Sequence, residues 1–184
     1  MKDKQLFVYH YYVQDAGPFR CIMDLNFDKP EEYVEYLKKN QIEDKITYDS
    51  QYFYRRMMYE KKCRNIFISK GGMPDRKNPQ YMTIGSYIGF EKSYMNNYIK
   101  IPISRFSENK VSFTYGDMFP NFNEDNIIYN REYFGQVYTY SEVLEIIKKY
   151  GFPQDWNSNG DEGYERYIEM QVWSDEIIEQ YYIR

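Results

Sequence analysis

Apolar and polar side chains alternate most clearly near the C-terminus, in the segment ERYIEMQVW at residues 165–173. Successive side chains of a strand point to opposite faces, so this pattern predicts a strand with two different faces. The apolar face carries Ile168, Met170 and Val172. The other face carries Tyr167, Glu169, Gln171 and Trp173. This second set is either a solvated sheet surface or the floor of a functional site.

Several other segments are short and rich in β-branched and aromatic residues, which is typical of strands. They are residues 6–13, 19–26, 80–84, 98–103, 110–115 and 135–138. Gly17 and Pro18 separate the first two segments, which we expect to pair as a hairpin. Residues 119–133 are polar and rich in asparagine, which predicts a loop.

Helical spacing and capping residues predict three to four helices. They cover residues 28–40, 50–69 and 140–150, with a short fourth segment after Ser174. Asp28 is the predicted N-cap of the first helix, with Pro30 in its first turn. Thr139 and Glu142 have the spacing of a capping box. Together these elements predict an α+β fold in one domain over residues 1–184, with a mixed or largely antiparallel sheet and flanking helices.

Composition and charge narrow the classes of function. The chain has 184 residues, of which 42% are hydrophobic and 28% charged, and this is a globular composition large enough for one core. The net charge of −4 argues against a broad nucleic-acid footprint. The sequence has no membrane-spanning apolar run and no signal peptide pattern, so we expect a cytoplasmic protein with no membrane partner.

The cysteines and the histidine bear on metal binding. Cys21 and Cys63 lie in apolar or helical patterns, which predicts buried, reduced thiols. His10 is the only histidine, and the two cysteines are far from it and from each other in sequence. This set does not match the ligand spacing of a zinc site, and we expect no metal cofactor.

The local excess of positive charge lies on the second predicted helix and the loop after it. It consists of Arg55, Arg56, Lys61, Lys62, Arg64, Arg76 and Lys77. These residues form either the solvated face of an amphipathic helix or a contact surface for phosphate or nucleic acid. In the second interpretation the substrate- or partner-binding residues are Arg55, Arg56, Arg76 and Lys77.

Three predicted strands carry polar side chains of the types that bind ligands or act in catalysis. His10 lies among tyrosines and is either a ligand-binding imidazole or an ordinary histidine on a half-exposed strand. Ser112 and Thr114 share one side of their strand, either beneath a ligand or on the polar side of a sheet. Glu169 is a carboxylate between apolar neighbours, which suggests a base or hydrogen-bond acceptor in a cleft, unless that face is solvated.

The order of these three strands resembles that in the ADP-ribosyltransferases. In that family a strand that carries His or Arg is followed by a strand with Ser-x-Thr or aromatic residues, and a glutamate comes late in the chain. The resemblance implies NAD as cofactor, with Glu169 and His10 as catalytic residues. The implied cofactor-binding residues are Tyr9, Tyr12, Ser112, Thr114 and Tyr115. Tyr167 stands where this family often has Glu or Gln, which makes the nucleic-acid-modifying, toxin or phage-conflict type the closer similarity. The acceptor, a protein or a nucleic acid, stays open.

A second class of function is a binding protein without catalysis. An acidic domain with 23 tyrosines suits an immunity or anti-defence protein that neutralises a protein partner, because tyrosine gives a large contact area at low entropic cost. The two classes differ in one structural respect. An enzyme of this type needs His10, Ser112 and Glu169 to converge on one ligand-sized cleft.

Overall fold

The structure is a computed structural model that describes residues 5–14, 17–25, 27, 29–39, 50–93, 96–123 and 131–181. The predicted N-cap Asp28 lies outside the described residues, as do residues 124–130 of the predicted loop.

The centre of the fold is a five-stranded sheet. Its strands are β1 (Phe7–Tyr12), β2 (Gln80–Ile84), β3 (Asn97–Pro102), β4 (Val111–Tyr115) and β5 (Ile168–Val172). Their order across the sheet is β3-β1-β2-β5-β4, and each neighbouring pair of strands is antiparallel. The predicted α+β class with a largely antiparallel sheet is therefore confirmed.

Three longer helices and three short ones occur among the described residues. They are α1 (Pro30–Lys39), α2 (Ser50–Ser69), α3 (Ile88–Glu91), α4 (Met118–Phe122), α5 (Tyr140–Tyr150) and α6 (Pro153–Trp156). The capping box of α5 is confirmed, because the Thr139 side chain accepts from the Glu142 N–H and the Glu142 carboxylate accepts from the Thr139 N–H. The short terminal helix is a 3₁₀ turn, Ile178–Tyr181.

Two predicted strands are corrected. Residues 19–25, the described part of the second predicted strand, do not pair as a hairpin, since Phe19 has a positive φ of 55° and a 3₁₀ turn follows at Ile22–Leu25. The segment at residues 135–138 contributes only an isolated bridge between Tyr138 and Phe113. The predicted loop at residues 119–133 begins inside α4, because the Asp117 side chain caps that helix at the Phe119 N–H.

Both faces of the sheet are covered. One face packs residues such as Phe113, Met170 and Val172 into the larger core beside α5. The other face lies beneath α2 and α4, where Cys63, Phe67 and Trp173 belong to a second core. All five residues of β5 are consequently buried, and its polar side chains do not form a solvated surface.

The two cysteines are buried and unpaired, as predicted. Among the helices that the structure describes, none is both long enough and apolar enough to cross a membrane.

Candidate functional site

The register of the sheet places the predicted site residues on two different faces. Tyr9 pairs with Thr83, Thr83 with Glu169, and Glu169 with Thr114. Directly paired residues of an antiparallel sheet point to the same side, so these four side chains form one row across four strands. Ser112 pairs with Gln171 and lies two residues along β4 from Thr114, on the same face.

His10 lies on the opposite face, because it follows Tyr9 in β1. Its neighbour Tyr12 is on the same side, with its ring stacked on the imidazole at 6.1 Å between centroids. Tyr115 pairs with Ile168 and points into the larger core, where its hydroxyl donates to the Gly151 carbonyl at 3.0 Å. The structure thus brings Tyr9, Ser112, Thr114 and Glu169 to one face but leaves His10, Tyr12 and Tyr115 on the other.

Both ring nitrogens of His10 are engaged by the backbone. Nε2 accepts from the Phe19 N–H at 2.8 Å, and Nδ1 therefore carries the proton that it donates to the Tyr81 carbonyl at 2.9 Å. The Phe19 ring stacks on the imidazole at 4.1 Å. Burial lowers the pKa of His10 to about 4, so the ring is neutral at physiological pH. Through these two hydrogen bonds, His10 holds the backbone at Phe19 against the sheet.

Glu169 is buried at the start of α4. One of its oxygens, Oε1, accepts from Gln171 Nε2 at 2.9 Å and from the Met118 N–H at 3.3 Å. Burial raises the pKa of Glu169 well above its ordinary value, and the nearby Asp117 carboxylate raises this pKa further. The fold therefore favours the protonated form of Glu169, which lies near a second carboxylate.

Gln171 links the polar groups of this face into one network. Its Nε2 donates to Thr114 Oγ1 at 3.1 Å as well as to Glu169, and its Oε1 accepts from Ser112 Oγ at 2.9 Å. Ser112 in turn accepts from Trp173 Nε1 at 2.8 Å. Each of these side chains therefore has a partner without water, which makes the layer between α2 and the sheet both polar and rigid.

A buried ion pair in the same layer was not anticipated from the sequence. Glu60 is 2% exposed, and its Oε1 accepts from Arg56 Nε at 3.0 Å and from the Tyr81 hydroxyl at 2.8 Å. Burial, followed by the charge of Glu60, raises the pKa of Tyr81 well above its ordinary value. The sequence feature that could have predicted this ion pair is the spacing of its residues. Arg56 and Glu60 are four residues apart on α2, so they share one face of the helix.

Arg76 and Arg56 have structural partners, so the predicted basic cluster does not form one open surface. The Arg76 guanidinium pairs with the carboxylates of Asp24 and Asp175, and its Nε donates to the Asn78 carbonyl. Arg55 and Lys77 are exposed.

The outer face of α2 carries exposed apolar side chains that the sequence reading overlooked. Tyr54, Met57, Met58 and Ile68 are 55%, 43%, 56% and 43% exposed. They follow one another at helical spacing on the side opposite the buried Tyr59, Cys63 and Phe67. The sequence feature that could have predicted this surface is the presence of apolar residues on two faces of α2. A helix that only covers a sheet needs apolar residues on one face.

No group of three or more His, Cys, Asp or Glu side chains is placed to hold a metal ion within the described ranges. No protein-family model matches the chain, and neither a curated protein nor a solved structure matches it.

Proposed function

We propose that this protein is a binding module, and that the outer face of α2 docks an acidic, partly apolar helical segment of a protein partner. The observation that carries the proposal is the exposure of Tyr54, Met57 and Met58 side by side on one helix face. Contiguous exposed apolar side chains are typical of docking surfaces, and methionine adapts its shape to a partner. Pairing of two amphipathic helices, as in coiled-coil zippers, uses apolar anchors at this spacing.

The charge of α2 supports an acidic partner. Exposed Arg55, Lys61 and Lys62 flank the apolar side chains. The single carboxylate of α2, Glu60, is buried and paired with Arg56, so it does not offset this charge at the surface. The outer face of the helix is therefore basic although the chain as a whole has a net charge of −4. Complementary charge steers association and disfavours basic partners.

Site-specific photocrosslinking in the source cells tests this proposal. A photoreactive residue at Met58 should capture a protein through an acidic, apolar segment, whereas one at Leu144 of α5, which is also an exposed apolar position, should not. A synthetic peptide of the captured segment should bind the purified protein, with affinity that falls as salt rises. Met57→Glu with Met58→Glu should weaken this binding at least about tenfold, and Leu144→Glu should leave it unchanged.

Three outcomes with a partner protein would count against the proposal. They are equal capture at Met58 and Leu144, capture of a basic segment, and peptide binding that survives both glutamates. Capture of a second copy of the chain would also overturn it, since the partner would then be the protein itself.

ADP-ribosyl transfer is a second candidate, favoured by the row that places Tyr9, Thr114 and Glu169 on one face with Ser112. NAD would supply the ADP-ribose group, and a carboxylate and an aromatic ring on one face suit a ribose and a flat base. The residues fit NAD only in part, because His10, Tyr12 and Tyr115 lie on the other face. Ser112, Thr114 and Glu169 are also buried beneath α2 and α4, so NAD would have to displace part of this cover. Calorimetric titration with NAD decides this question. Saturable NAD binding that Tyr9→Ala weakens would support ADP-ribosyl transfer. The protein should also release nicotinamide from NAD, and Glu169→Gln should abolish this release while Glu145→Gln should not.

A further inference from the structure

The outer face of α2 has the spacing of a coiled-coil heptad. The exposed residues that show this spacing, here called the outer stripe, are Tyr54, Met58, Lys61, Asn65 and Ile68. They are separated alternately by four and three residues, which keeps their side chains along the contact line between two helices that coil around each other. From residue 54 to residue 68 the outer stripe is about 21 Å long, at about 1.5 Å per residue. A single partner helix can therefore contact all of it.

Two polar residues interrupt the outer stripe. Lys61 and Asn65 separate Met58 from Ile68. Both polar side chains are exposed, and neither makes a hydrogen bond, ion pair or ring contact with the described part of the chain. A helix that docks on the outer stripe would cover both of them. Polar groups that lose contact with water require hydrogen-bond partners, so the docked helix has to supply these partners.

Two other cations of α2 lie over aromatic rings of α4. The Arg55 guanidinium is 5.6 Å from the centre of the Phe119 ring, and Lys62 Nζ is 4.8 Å from the centre of the Phe122 ring. Both cations therefore already have a contact within the fold, on the side of α2 that faces α4.

The remaining two cations of α2 are held by oxygen atoms. Arg56 pairs with the buried Glu60, and Arg64 donates to two backbone carbonyls of the loop after α2, both at 3.2 Å. Among the five basic residues of α2, Lys61 is thus the one whose charge has no partner in the described part of the chain. It is also the basic residue that lies on the outer stripe.

The position of Lys61 restricts the sequence of a partner helix. Removing the Lys61 ammonium from water is costly unless an opposite charge faces it. An apolar residue at the facing position would leave this charge unpaired, and a basic residue would repel it. A lysine or asparagine within an otherwise apolar contact line fixes which residues of two helices face each other, at some cost in affinity.

We propose that Lys61 sets the register of the partner helix, which presents a carboxylate opposite Lys61 and a polar side chain one helical turn away, opposite Asn65. This inference rests on the function proposed above for the outer face of α2. It defines the partner more closely, because the acidic residue has to lie at one position within the apolar face of the partner helix. Lys61 is thus a residue that determines specificity.

Reversal of single charges tests the proposal, with the synthetic peptide of the segment captured at Met58 as the probe. Lys61→Glu should weaken binding of this peptide at least about tenfold. Lys62→Glu changes the charge of α2 by the same amount one residue further on, and should weaken binding no more than about threefold. Both substitutions are at exposed positions of the helix, so long-range charge effects and folding are matched.

Rescue by the peptide locates the facing residue. Each carboxylate of the peptide is replaced by lysine in turn, so that all the altered peptides have the same net charge. One of them should restore binding to the Lys61→Glu protein to within about threefold of the original pair, and the others should not. The peptide that restores Lys61→Glu should not restore Lys62→Glu.

The proposal is overturned if Lys61→Glu and Lys62→Glu weaken binding equally, or if lysine at any carboxylate of the peptide rescues Lys61→Glu equally well. Either result would mean that the total charge of α2, and not the position of Lys61, selects the partner. The docking surface itself would still stand if Met57→Glu with Met58→Glu abolishes binding of the same peptide. A wild-type protein that does not bind the peptide would overturn both proposals.

Discussion

His10 and Glu169 lie on opposite faces of the same sheet. The distinction follows from the register, in which Tyr9 and not His10 is aligned with Thr83 and Glu169. A single ligand therefore cannot contact both side chains without passing through the sheet. This geometry separates the two residues that a shared catalytic site would need, and it gives each of them a different physical role.

The buried His10 should make stability depend on pH. Its pKa is about 4 in the folded protein and 6.5 when unperturbed, so the unfolded chain binds the proton more readily. The stability from neutral His10 is fully present above pH 6.5 and is lost as pH falls towards 4. Lowering the pH from 7 to 5 should cost about 2 kcal/mol through this residue.

Urea unfolding of the wild type and of His10→Asn at both pH values measures the effect. The variant should be less stable at pH 7, because the Phe19 N–H loses its acceptor, but its stability should fall less with acidification. Equal slopes in the two proteins would show that His10 is not held neutral by the fold.

Glu169 should make the stability of the protein depend on pH with the opposite sign to His10. Burial raises its pKa above 4.5, so the folded protein holds the proton more tightly than the unfolded chain, and stability should decrease as pH rises from about 4.5 towards the higher folded pKa. Glu169→Gln has a neutral side chain of the same shape and keeps an oxygen to accept from Gln171 and the Met118 N–H.

Denaturant titrations from pH 5 to pH 8 should therefore show Glu169→Gln gaining stability relative to the wild type. Glu145→Gln, at an exposed position of α5, serves as the control. A stability difference between the variant and the wild type that stays constant from pH 5 to pH 8 would mean that Glu169 is ionised in the fold.

Local signals in the sequence predicted the three longer helices, because capping and spacing depend on neighbouring residues. Thr139 and Glu142 fixed the start of α5 in this way. Alternation predicted β5, but the burial of its polar face depends on α2, more than a hundred residues earlier in the chain. The opposite placement of His10 depends on pairing with a strand about seventy residues away. Such long-range register is not encoded in a local pattern.

Gln171 should be among the most sensitive polar residues of the core. Gln171→Leu removes hydrogen-bond partners from Glu169, Thr114 and Ser112 at once, while the new side chain is apolar and of similar size. Leaving buried groups unsatisfied should cost about 2–3 kcal/mol. Gln180→Leu, on the exposed C-terminal turn, should change the free energy of unfolding by no more than about 0.5 kcal/mol. Chemical denaturation at pH 7 compares the two, and similar losses would show that the network contributes little.

Arg76 and the adjacent Lys77 should respond differently to substitution, although both carry a positive charge in the same loop. Arg76 is mostly buried and joins Asp24 to Asp175, two carboxylates from distant parts of the chain. Arg76→Ala should cost about 1–2 kcal/mol, a value reduced by the partial exposure of both carboxylates. Lys77→Ala should cost no more than about 0.5 kcal/mol. Thermal unfolding measures both, and binding of the peptide captured at Met58 is the second readout. A stable Arg76→Ala protein that loses this peptide would assign Arg76 to the partner surface instead of to the fold.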